Sequence, residues 1–277
     1  MSADTAEDTD RPPLPRRVRI VVLGNSTAMY VRPRRRDRGD RTYGELLEAQ
    51  LRHRGIDAFV VNQGRWWDRV HDVLPRWEEA VYAHTPDVVI LNYGLGECEP
   101  NVFPVPMMRW VYTWRPSLNP VAIRLRSLLV RPVQRAMTAA MPWISRRLGM
   151  RTWRLRPERF RNELRRLIEI TRRETGALVL VLTLNPPGPF LQNLMPGVDE
   201  RSRLYSDLIR ALVDEIDDPE VQVVEAGAIV DDLGWRKTMV DGLHYTARGH
   251  REVASLLEAS VLTWLDGPGR VAPPASS

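Results

Sequence analysis

Five short apolar runs, at 18–23, 57–62, 87–92, 177–184 and 220–225, punctuate the chain, with helix-like stretches between them. Alternation of this kind specifies a parallel sheet with helices on both faces, because each connection is long enough to carry a crossover helix. The run Ala177-Leu178-Val179-Leu180-Val181-Leu182 has no polar alternation and reads as a strand buried on both sides. Residues 43–54 place Leu46, Leu47 and Leu51 on one helical stripe, and residues 160–173 do the same with Leu164, Leu167, Ile168 and Thr171. Gly55 and Gly176 stand where helix C-caps belong. A last helix is expected over 247–264. No internal repeat or low-complexity tract interrupts this pattern.

The first apolar run ends in Gly24-Asn25-Ser26-Thr27-Ala28, and far downstream stands Asp241-Gly242-Leu243-His244. A serine hydroxyl becomes nucleophilic when an imidazole takes its proton and a carboxylate orients that imidazole. Ser26, His244 and Asp241 supply these three groups. A residue leaving a buried strand at its C-terminal end sits where open α/β sheets gather ligands, which places Ser26 at a site edge. Taken singly, Ser26 also fits a turn or helix N-cap, and Asp241 with His244 also fits a surface turn.

Further motifs follow in order. Asn62-Gln63-Gly64 ends the second run, and Asn92-Tyr93-Gly94-Leu95-Gly96-Glu97 ends the third. With them the chain resembles the SGNH hydrolases, or GDSL family, whose blocks are a Gly-Asp-Ser-like turn, a Gly, a Gly-x-Asn-Asp-like turn and an Asp-x-x-His. The blocks span 18–250. The resemblance implies a three-layer α/β/α, flavodoxin-like fold with a parallel five-stranded sheet. It implies Ser26 as nucleophile, His244 as general base and acid, Asp241 as its orienting carboxylate, and the N–H groups of Ser26 and Gly64 at the oxyanion. Asn25 replaces the family's aspartate, losing a charge but keeping a side chain that bridges backbone groups. Gly96 replaces the asparagine expected to donate to the oxyanion from the Gly94 turn, and loss of one such donor costs about 10²–10³ in rate in a serine protease. Asn92 and Asn101 are candidate substitutes, and both also fit as turn formers.

The region 101–156 is expected to form a helical, basic insertion or lid. It holds no Asp or Glu, yet carries eleven arginines, at 109, 115, 124, 126, 131, 135, 146, 147, 151, 154 and 156, with Trp110, Trp114, Trp143 and Trp153 among them. Asn119-Pro120 marks a helix start, Pro132 is expected to interrupt that helix, and a second stretch covers 133–148. Three roles fit this arm: a helical hairpin packed on the domain, peripheral contact with an anionic membrane, or binding of a phosphate-bearing substrate. Nucleic acid is not expected, because the aromatics sit among apolar residues and not in a base-stacking module.

One hydrolase-like domain is expected over 17–266, with polar tails at 1–16 and 267–277. With Cys98 the only cysteine, no evident secretory leader and no apolar run of membrane-spanning length, a cytoplasmic location is expected, with peripheral contact at the inner membrane face. No His/Cys cluster has metal spacing, so neither metal nor cofactor is expected. Trp66 and Trp67 are candidate walls of a sugar or acyl pocket, with packing as the alternative. Asn185-Pro186-Pro187-Gly188 is expected to line the same cleft. Lys237 is the only lysine, which fits a GC-rich coding genome better than a functional demand. The expected activity is hydrolysis of a carboxylic ester on a glycan or lipid-linked substrate. The alternatives are acyl transfer, or a non-catalytic protein that binds membranes or anionic partners.

Overall fold

The computed structural model describes residues 17–29, 41–112, 120–148 and 151–267. The tail expected at 1–16, all of the tail expected at 267–277 except Gly267, and Trp114 of the arm lie outside these residues. Five parallel strands, β1 (Val18–Gly24), β2 (Ala58–Asn62), β3 (Val88–Asn92), β4 (Leu178–Leu182) and β5 (Val221–Val224), form one sheet in the order β2-β1-β3-β4-β5. The order reverses between β1 and β3, and at such a switch point the loops after two adjacent strands part to leave a crevice.

The helices in chain order are α1 (Tyr43–His53), α2 (Val70–Val73), α3 (Trp77–Ala80), α4 (Leu95–Cys98), α5 (Val105–Tyr112), α6 (Pro120–Leu148), α7 (Pro157–Thr175), α8 (Pro189–Leu194), α9 (Val198–Ile216), α10 (Ala228–Leu233), α11 (Trp235–Thr238) and α12 (Ala247–Leu265). Strand side chains alternate in direction, so the sheet builds two cores. Val21, Val89 and Val179 point to one face, covered by Phe160, Leu164 and Leu167 of α7 and Ile209 of α9. Ile20, Ile90 and Leu180 point to the other, covered by Leu47 and Leu51 of α1 and Val253 and Leu257 of α12. Layered burial on both faces explains why the strands read as continuous apolar runs.

Local signals agree with the elements. Thr42 and Glu45 form a reciprocal capping box at α1. Gly55 and Gly176 adopt φ of 82° and 65° beyond the ends of α1 and α7, as their C-cap reading requires. The expected break at Pro132 does not occur: α6 runs from Pro120 to Leu148 with Pro132 and Pro142 inside it. Proline removes one hydrogen bond and crowds the preceding turn. Here the inner face of α6 is held down on both sides of Pro132 by Val130, Met137 and Met141, all buried, and this packing outweighs the local loss.

Candidate active site

The strand β1 delivers Gly24 and Asn25 to the sheet edge, and Ser26–Ala28 form a single 3-10 turn. Asn25 caps that turn. Its Oδ1 accepts from the Thr27 N–H at 3.0 Å and from the Thr27 hydroxyl at 2.8 Å. The backbone N–H can only donate, so the amide oxygen is fixed there and Nδ2 faces the other way, within 3.4 Å of where a Cβ on Gly96 would stand.

The Ser26 hydroxyl donates to His244 Nε2 at 2.9 Å, and His244 Nδ1 donates to Asp241 Oδ2 at 2.7 Å. The carboxylate can only accept, which puts the imidazole proton on Nδ1 and leaves Nε2 free to take the serine proton. Burial pushes the Asp241 carboxyl up, but bonds from the His244 ring and from the N–H groups of His244 and Leu243 outweigh this and hold it at about 2. Asp241 is therefore ionised throughout the neutral range.

The loop carrying this pair is clamped. Gly242 takes φ 84° and lies against Gly188, whose N–H donates to the Gly242 carbonyl at 2.9 Å; a Cβ on Gly188 would come within 2.7 Å of Gly242 Cα. Tyr245 donates to Asn185 Oδ1 at 2.5 Å, and Thr246 caps α12 by accepting from the Gly249 N–H. The Asn185–Gly188 segment thus buttresses the histidine loop from behind and does not line the cleft, contrary to the sequence reading. Behind it the Tyr43 N–H donates to Nδ1 of the buried His250, and burial lowers that imidazole to about 3, so it stays neutral.

Three further expected residues are placed differently from their assigned roles. The Gly64 N–H donates to Asn62 Oδ1 at 2.9 Å, and Asn62 Nδ2 donates to the Ala28 carbonyl at 2.8 Å. An asparagine two residues upstream captures a backbone N–H in an Asx turn, and that local bond takes the Gly64 donor from the oxyanion. Asn92 donates to the Tyr43 hydroxyl at 3.1 Å, away from Ser26. Gly94 is buried at φ 116° and packs on Leu184. Gly96 does line the cleft, whereas Asn101 lies on a neighbouring recess.

The cleft has a volume of about 300 Å³ and opens over Asn25, Ser26, Gly96 and His244. One wall is apolar: Leu95, Met108, Met141, Leu194, Met195 and Leu243. Met108 and Met141 come from α5 and α6, so the arm helps to form the wall, and its return segment is pinned where Arg154 and Leu155 donate to the carbonyls of Glu99 and Glu97. Trp66 is exposed at the rim with its ring 6.0 Å from that of His244. Trp67 holds a left-handed backbone, φ 63°, with the Arg154 guanidinium 5.0 Å above its ring.

Sequence reasoning missed two carboxylates here, Glu97 beneath the cleft and Glu99 in its lining. Glu97 is fully buried, accepting from the Val70 N–H at 2.8 Å and the Gly94 N–H at 2.9 Å, and burial raises it to about 7. Glu99 pairs with Arg154 at 2.5 Å. Their only signal was position: Glu97 is the last residue of the third block and Glu99 stands two residues beyond it. Among the described residues no group of His, Cys, Asp and Glu could hold a metal ion, and no helix is long and apolar enough to cross a membrane.

A model of the GDSL-like Lipase/Acylhydrolase family matches residues 22–252. The chain belongs to that family. It is an ester-hydrolysing enzyme, and its five-stranded three-layer fold is the one the resemblance implied. No curated protein matches it in sequence. Among solved structures, the lipase/acylhydrolase from Enterococcus faecalis aligns with a TM-score of 0.60 at 16% identity, over 94% of this chain and 100% of that one. An alpha/beta hydrolase from the metagenome of Lake Arreo gives 0.55 at 19% identity, over 88% and 94%. Axe2, an acetylxylan esterase from Geobacillus stearothermophilus, gives 0.51 at 15% identity, over 88% and 94%. At such identities these likenesses speak for the fold.

Proposed function

We propose that the enzyme hydrolyses a carboxylic ester with an apolar acyl chain through an acyl-enzyme at Ser26. The observation that carries this reading is the unbroken chain Ser26–His244–Asp241 opening onto the apolar wall of the cleft. Ser26 Oγ bonds to the ester carbonyl carbon as its proton passes to His244 Nε2. The tetrahedral intermediate collapses, and the alcohol departs with that proton. Water then gives a proton to Nε2, its oxygen bonds to the acyl carbon, and the carboxylic acid leaves as the proton returns to Ser26 Oγ. Asp241 holds the imidazole tautomer throughout. In support, two structures of the Geobacillus acetylxylan esterase are of catalytic mutants in which a serine and an aspartate are replaced by alanine.

The acyl chain lies against Met108, Met141 and Met195, while exposed Trp66 offers a stacking face to the alcohol. The oxyanion is held by the Ser26 N–H and by Asn25 Nδ2, which points into the space left by the missing side chain of Gly96. Two departures from the family pattern thus compensate each other: the usual aspartate at position 25 has no N–H to give, and the asparagine does.

A fluorophosphonate probe should label Ser26, located by mass spectrometry, and Ser26→Ala or His244→Ala should abolish labelling; folded wild-type protein that stays unlabelled refutes the acyl-enzyme. Asn25→Asp keeps the acceptor for Thr27 but replaces the donor with a carboxylate, so kcat should drop by at least about 10²–10³. A Cβ at Gly96 would meet only Asn25 Nδ2, at 3.4 Å, and Gly96→Asn should restore much of that loss. An unchanged kcat in Asn25→Asp removes Asn25 from the oxyanion site.

A further inference from the structure

Helix α6 has two apolar faces, one more than packing on this domain requires. Its inner face sets Val130, Met137 and Met141 into small cores with α5, α8 and α9. On the opposite side Val121, Leu125, Leu128, Leu129 and Trp143 are 71%, 58%, 65%, 59% and 68% exposed. At 3.6 residues per turn these five fall within a sector of about 100°. Between Leu129 and Trp143 the same sector holds only Pro132, Ala136 and Ala139, all exposed. The result is an apolar ridge about 33 Å long from Val121 to Trp143.

Cations edge this ridge. Arg124, Arg131 and Arg135 run along one side, and Arg146 and Arg147 close its end, all exposed. No Asp or Glu occurs between Asn101 and Pro157, so the segment supplies no counter-charge of its own. A ridge of leucines is an interface awaiting a partner. In a two-fold pairing of α6 with a second copy, the arginine rows would face each other without anions between them, which is unfavourable. An anionic bilayer fits both features: the leucines enter the acyl boundary, the guanidinium groups meet lipid phosphates, and an indole suits the polar–apolar border.

We infer that the outer face of α6 docks the enzyme on anionic lipid surfaces. Because Met141 walls the cleft from the opposite face of the same helix, docking places that wall one helix diameter, about 10 Å, behind the lipid contact. The inference stands on the ridge and its charges, independently of the chemistry at Ser26.

The test is sedimentation of the full chain with vesicles of phosphatidylcholine alone and with added phosphatidylglycerol. Binding should require phosphatidylglycerol and weaken with salt. Leu125→Glu/Leu128→Glu should abolish it, and Arg131→Ala/Arg135→Ala should weaken it about 25-fold, from roughly fivefold per basic residue near the surface. Both variants should label with fluorophosphonate as wild type does, which certifies their fold. No binding to either vesicle, equal binding to both, or unchanged binding by the leucine variant overturns the inference. So does a lipid-free dimer that Leu128→Glu converts to monomer, which would make a second copy the occupant. Vesicle binding by a protein that resists labelling would sink the acyl-enzyme and leave the docking face standing.

Discussion

The sheet edge and the outer face of α6 use polar and apolar side chains in opposite ways. At the sheet edge these polar groups are answered within the molecule: Ser26 by His244, His244 by Asp241, Asp68 by Arg76 and Tyr93, Glu97 by two backbone N–H groups. On α6, leucines face solvent and arginines have no carboxylate in their own segment. A site that must hold reacting atoms in place completes its contacts internally, because a missed partner there costs the full desolvation of the group left behind. A surface that engages an outside partner leaves its contacts to be made later. If these regions are a reaction centre and a docking face, substitutions should separate them.

The largest separation is expected from Ser26→Ala. If Ser26 is the nucleophile, its removal should lower kcat/KM for any ester substrate by about 10⁴-fold or more while vesicle sedimentation stays unchanged. Loss of both properties in folded protein would break the division drawn here.

That division was only half legible beforehand. The strands, the helices on both faces and the convergence of Ser26 with Asp241 and His244 follow from periodicity and motif order, since burial on two faces leaves apolar runs few alternatives. Hydrogen-bond choices were not legible. Asn62 takes the Gly64 N–H, Asn92 turns to Tyr43, and Asn25 directs Nδ2 at Gly96, each decided by neighbours distant in sequence or by a local turn. Pro132 misled for a related reason: its local cost is visible in sequence, and the packing of Met137 and Met141 that overrides it is not. The cleft wall was hidden because Met108, Met141 and Met195 come from three separate helical segments.

Next in size is the core itself. Leu180 has no exposed surface and sits between α1 and α12, so Leu180→Ala should cost about 2–5 kcal/mol in urea unfolding. A loss below 1 kcal/mol, on the order of a surface change, would mean that the sheet is not the rigid frame the site needs.

Glu97 links that frame to pH. Its carboxyl is raised from 4.5 to about 7 by burial, so the folded state holds a proton that the unfolded state releases. Stability from this group is present below pH 4.5 and is lost as pH rises to about 7, by roughly 3 kcal/mol across that window. Glu97→Gln should flatten the slope in urea midpoints measured between these pH values. An equal slope in the variant assigns the dependence to another group.

The smallest effect is the most telling, because it uses the same side chain as the core test. Leu128 is 65% exposed on α6, and truncating it leaves no cavity and gives up little buried surface, so Leu128→Ala should change stability by less than about 0.5 kcal/mol. A leucine that adds nothing to folding yet stands in an unbroken apolar ridge is placed for contact with something else. If Leu128→Ala instead destabilised the protein by as much as Leu180→Ala, the outer face of α6 would be packed in solution, and the contrast between the two regions would collapse into one continuous core.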